Sequence, residues 1–122
     1  MNRKIIFSVD DTATMLAIIE EALCKNYNVI SLDSAEKMFV HLKRIKPDLI
    51  LLDYYMPGMT CHEAMGRLKG DEQYASIPVV VMSASNYPEI IDEIEAMGAK
   101  DFICKPFGTN EQLEEMVEKW TA

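Results

Sequence analysis

Apolar runs alternate with stretches of helical period along the whole chain. Lys4–Val9 is the first run. A stretch follows in which Met15, Leu16, Ile19, Ala22 and Leu23 share one helical face. Tyr27–Leu32 alternates apolar and polar residues, as a half-buried strand does. Ser34 is placed to cap a helix carrying Ala35, Met38, Phe39 and Leu42, and Pro47 is expected to end it. Leu49–Asp53 is apolar up to its last residue. Gly58 turns the chain into a helix with Cys61, Ala64, Met65 and Leu68 aligned. Pro78–Ser83 is a fourth apolar run. Pro88 suits the first turn of a helix bearing Ile90, Ile91, Ile94 and Met97, and Gly98 stops it. Asp101–Cys104 is a short fifth strand. The last helix begins near Thr109 and carries Leu113, Met116, Val117 and Trp120.

Five strands alternating with five helices predict right-handed βαβ units around a parallel sheet. The first, third and fourth strands read as buried on both faces, whereas the second and fifth are mixed and suit the edges. That pattern gives the order 2-1-3-4-5, a flavodoxin-like doubly wound α/β fold. A length of 122 residues fits one domain, so residues 1–122 are expected to form a single domain with no second one following. The net charge of −8 argues against direct binding of nucleic acid or of an anionic membrane surface. No apolar run approaches a membrane span. Three cysteines (Cys24, Cys61 and Cys104) without paired spacing read as small core residues in a reducing, cytoplasmic setting.

In such sheets ligands bind beyond the carboxyl ends of the strands. Those ends carry Asp10-Asp11, Asp53, Ser83 and Lys105. Three carboxylates in one crevice repel one another. A divalent cation relieves that repulsion, and oxygen ligands suit Mg²⁺, with Mn²⁺ as a substitute.

These residues, with Leu51-Leu52-Asp53-Tyr54-Tyr55-Met56-Pro57-Gly58, Ser83-Ala84, Gly98-Ala99, Phe102 and Lys105-Pro106-Phe107, resemble the CheY-like receiver domains of two-component response regulators. The resemblance covers essentially the whole chain. It implies that Asp53 is the phosphoacceptor, taking a phosphoryl group from a sensor histidine kinase, a phosphotransfer protein or a small donor such as acetyl phosphate. It implies Mg²⁺ on Asp11, Asp53 and the Tyr55 backbone carbonyl, with Asp10 acting largely through water. Lys105 would clamp a phosphoryl oxygen and Ser83 would swing to another. Phe102 would then move inward, reshaping the face of the fourth helix, fifth strand and fifth helix for a downstream target, an output domain or a phosphorylation-dependent homodimer. The Lys105-Pro106 bond would be cis. The role implied is a signalling switch that loses its own phosphoryl group, not an enzyme.

Some positions depart from the common pattern. Ser8 brings a hydroxyl to the core, and Phe102 lacks the hydroxyl of the frequent tyrosine. Bulky Tyr55 is expected to shield the acyl phosphate from water. His41 and His62 read as solvent-facing helix residues, Trp120 as core, and Glu93–Glu95 as a solvated face. A receiver cut from a longer regulator or hybrid kinase is the alternative reading. A Mg²⁺ phosphatase of the haloacid dehalogenase type is disfavoured, since that family resembles D-x-D after its first strand.

Overall fold

The computed structural model describes residues 3–105 and 110–122. Its strands are β1 (Ile5–Val9), β2 (Asn28–Leu32), β3 (Leu49–Asp53), β4 (Val79–Ser83) and β5 (Asp101–Cys104). Its helices are α1 (Ala13–Leu23), α2 (Ala35–Leu42), α3 (Cys61–Gly70), α4 (Pro88–Ala96) and α5 (Asn110–Thr121). All strand pairs are parallel and the order is β2-β1-β3-β4-β5. The central strands β3 and β4 are buried at every position, while the edge strands β2 and β5 are mixed. The expected order and edges are therefore observed.

Successive strand residues point to opposite faces, and two cores result. Phe7, Val9, Ile50, Leu52, Val79 and Val81 pack with residues of α2, α3 and α4 on one face. Ile6, Leu49, Leu51, Val80, Met82 and Ile103 pack with α1 and α5 on the other. Burying a side chain of this size contributes roughly 1.5–3 kcal/mol, so the two faces lock the sheet between its helix layers. Ser8 lies fully buried in β1, and its Oγ has no hydrogen-bond partner.

The helix ends follow local chemistry. The Ser34 hydroxyl accepts from the N–H of Lys37 at 3.1 Å, starting α2. Thr60 does the same for α3, accepting from the N–H of Glu63 at 3.1 Å. Pro88 occupies the first turn of α4. Gly98 has φ of +94°, a conformation costly for any residue with a Cβ, so it ends the α4 segment cleanly. Helix α2, by contrast, stops at Leu42, well before Pro47. Its last turn is closed by the N–H groups of Arg44 and Ile45, both bonded to the His41 carbonyl.

Several side chains lie elsewhere than the sequence suggested. Only Cys61 of the three cysteines is buried. Cys24 follows the end of α1 and is exposed, and Cys104 is half-buried on an edge strand. His41 is half-buried, because its ring packs edge-on against Phe7 and its Nδ1 meets the Lys37 carbonyl at 2.9 Å. Trp120 is only partly buried, because its indole N–H donates to Asp101 at 3.0 Å near the sheet edge. Thr109, where the last helix was expected to start, lies outside the described residues, as does Pro106.

Candidate functional site

The sheet register brings the strand ends together. The N–H of Asp10 donates to Leu32, that of Tyr54 to Met82 and that of Lys105 to Ser83, at 2.8–3.1 Å. Each strand end is thus pinned to its neighbour, and the side chains that follow are placed with little freedom. Pleat alternation then sorts them. Asp10 and Asp53 continue the phase of Ile6, Leu49 and Leu51, toward α1 and α5, and Lys105 continues that of Ile103. Tyr54, Ser83 and Phe102 continue the opposite phase, toward α3 and α4.

One oxygen from each of Asp10, Asp11 and Asp53 can lie within 4.8 Å of the others. Asp10 is fully buried, Asp53 is 3% exposed, and Asp11 is exposed. Lys105 reaches across from the end of β5. Its Nζ lies 2.9 Å from Asp53 Oδ1 and 3.0 Å from Asp10 Oδ2. The other Asp10 oxygen accepts from both the N–H and the hydroxyl of Thr12, each at 2.9 Å. Asp10 therefore also shapes the entry to α1.

Burial raises the pKa of Asp53 to about 6, the hydrogen bond from Lys105 holds it back, and the charges of Asp10 and Asp11 add to the rise. Burial pulls the Lys105 ammonium downward, but its bonds to Asp53 and Asp10 win and its pKa is raised. One ammonium facing three carboxylates leaves an excess of negative charge on oxygen donors alone. Such a donor set fits a hard divalent cation of the Mg²⁺ type.

The structure does not join the remaining predicted residues to this cluster: Ser83 and Phe102 follow the opposite pleat phase, and Tyr55 lies in the loop after β3. The Ser83 hydroxyl is buried and committed to its own loop: it donates to the Ser85 carbonyl at 3.0 Å and accepts from the Ser85 N–H at 3.1 Å. Phe102 is half-buried against the α2–α4 core. Tyr55, in the loop after β3, is 60% exposed and meets the Tyr54 ring edge-on at 4.7 Å. The expected cis bond at Pro106 lies outside the described residues.

A second polar cluster was not anticipated. The Tyr54 hydroxyl donates to Glu93 Oε2 at 2.7 Å, and His62 Nε2 contacts Glu93 Oε1. His62 and Glu93 are thus engaged with each other and not simply solvated. Burial and the bond to Glu93 push the Tyr54 phenol up to about 12. Nothing in local spacing signals this cluster, since its members lie on three separate segments.

Comparison with known proteins follows the same lines. Residues 6–118 match the family model described as response regulator receiver domain. The chain is 35% identical to the two-component response regulator ARR3 of Arabidopsis thaliana, over 83% of this chain and 49% of that protein. It is 30% identical to hybrid signal transduction histidine kinase D of Dictyostelium discoideum, over 98% of this chain and 8% of that one. The chain thus spans about half of the first relative and a small part of the second. Among solved structures, the receiver domain of sensor histidine kinase PA1611 from Pseudomonas aeruginosa superposes with a TM-score of 0.88 at 21% identity, covering 98% of each chain. That structure is described with a magnesium ion coordinated in its active site cleft.

Proposed function

The chain belongs to the response regulator receiver domain family, and from that premise we propose that it is a phosphorylation-dependent switch with Asp53 as phosphoacceptor. The reading rests above all on one observation: Asp10, Asp11, Asp53 and Lys105 converge beyond the carboxyl ends of the strands. A carboxylate oxygen of Asp53 attacks phosphorus in a phosphohistidine or acetyl phosphate. The new O–P bond forms as the bond to the imidazole nitrogen, or to the acetate oxygen, breaks, and that group leaves with the electron pair. Lys105 is placed to follow a developing phosphoryl charge, because it already bridges Asp53 and Asp10.

Asp11, Asp53 and the Tyr55 carbonyl would hold Mg²⁺, with Mn²⁺ able to substitute and Asp10 contributing largely through water. The bound cation would stabilise charge on the transferring oxygens. Ser83 would leave Ser85 for a phosphoryl oxygen, Phe102 would follow inward, and the α4–β5–α5 face would change its partner preference. The partners proposed are a histidine kinase or phosphotransfer protein upstream and a protein target, an output domain or a second copy downstream. The chain acts as a switch and not as a turnover enzyme. The likeness to a hybrid histidine kinase supports a second reading, a receiver within a longer sensor protein.

Intact mass after incubation with acetyl phosphate tests the proposal. One added phosphoryl group with Mg²⁺, and none with a chelator, is expected. An unmodified mass under both conditions would overturn it.

A further inference from the structure

Helix α4 is lightly anchored. Only Ile94 is fully buried along it, against four fully buried residues in α3. What supplements that anchor is polar. Both Glu93 oxygens are engaged from outside the helix, Oε2 by the Tyr54 hydroxyl and Oε1 by His62 at the start of α3. Tyr54 immediately follows Asp53 but faces the opposite side of the sheet, with its ring against the α2–α4 core. It therefore connects the phosphoacceptor's own backbone to α4.

The same helix is reached by a second route. The Ser83 hydroxyl is held by Ser85, three residues before Pro88 opens α4. A Ser83 hydroxyl that turns toward Asp53 must give up both bonds to Ser85, loosening the segment that feeds α4. The Glu93 contacts oppose displacement of that helix from its middle.

We infer that Tyr54 and His62 together latch Glu93, holding α4 against the loop after Asp53 and favouring the resting conformation over the phosphorylated one. This rests on the function proposed above. Tyr54, His62 and Glu93 act as positioning residues, through α4, and touch no reacting atom. A contact made in one conformation and lost in the other shifts the balance by its full differential strength.

Tyr54→Phe removes only the hydroxyl and keeps the ring, and Glu93→Ala removes the whole latch. Two readouts are compared with the unaltered chain: backbone hydrogen exchange in α4 without ligand, and affinity for beryllofluoride with Mg²⁺. Each variant is expected to exchange faster at residues 88–96 and to bind beryllofluoride more tightly, roughly five-fold for Tyr54→Phe and more for Glu93→Ala. Adding Tyr54→Phe to Glu93→Ala is expected to change nothing further, because the shared bond is already gone. Unchanged α4 exchange, or beryllofluoride affinity equal to or weaker than that of the unaltered chain, would overturn the latch. Failure of the unaltered chain to bind beryllofluoride would count against the proposed function instead, and the exchange data would still decide the latch.

Discussion

The Lys105 ammonium balances only part of the charge around it, and this makes its removal severe. Its side chain is 15% exposed and bonds two carboxylates. Lys105→Met leaves Asp10 and Asp53 facing each other without that cation. The metal-free protein is expected to lose about 3 kcal/mol, read from urea midpoints, with part of the loss recovered on adding Mg²⁺. Ser8 gives the opposite case. Its buried hydroxyl lacks a partner, so Ser8→Ala removes a desolvation cost and leaves almost no void. A gain of about 1 kcal/mol is expected in the same urea assay. Both positions were legible from sequence, Lys105 because it ends the fifth strand and Ser8 because it departs from the pattern of the family the chain resembles. Glu93 was not legible. It stands in an acidic run on an amphipathic helix, and only the tertiary fold brings Tyr54 and His62 to it.

The start of α3 shows how one element carries both stability and site geometry. Thr60 caps the helix, and its hydroxyl also meets Glu63 Oε1 at 3.3 Å. Thr60→Ala is expected to cost about 1 kcal/mol, measurable as a lower thermal midpoint. Cys61, the next residue, is buried, and burial together with the Asp53 and Glu93 charges pushes its thiol up to about 12. At pH 8 the native protein should therefore alkylate at exposed Cys24 well before Cys61, as peptide mapping after brief iodoacetamide treatment would show. Strand positions were readable to within a residue, because β3 and β4 are apolar up to a polar last residue, Asp53 and Ser83. Helix ends were read less well. Pro47 is the conspicuous stop signal, yet α2 closes earlier, on the His41 carbonyl. Thr60, the actual cap of α3, lay hidden behind the more obvious Gly58.

At the scale of the molecule, the parallel sheet separates two tasks by pleat phase. Asp10, Asp53 and Lys105 continue the phase that faces α1 and α5, while Tyr54, Ser83 and Phe102 continue the phase that faces α3 and α4. Tyr54, directly after β3, and Ser83, at the end of β4, thus stand on the face opposite the carboxylate of Asp53. Among the described residues, no helix is long and apolar enough to cross a membrane. The crowding of Asp10, Asp11 and Asp53 supplies the oxygen donors on which the proposed Mg²⁺ site rests. Added Mg²⁺ should raise the melting temperature by mass action, and Asp11→Asn should abolish most of that shift. The proposed switch requires that Asp53 itself receive the phosphoryl group. Its most direct test is peptide mapping after acetyl phosphate and Mg²⁺ treatment, with hydroxylamine used to convert an acyl phosphate to a stable hydroxamate. A single hydroxamate at Asp53, absent from Asp53→Asn, is expected. A tag on Asp10, on Asp11 or elsewhere, or a tag that persists in Asp53→Asn, would contradict it.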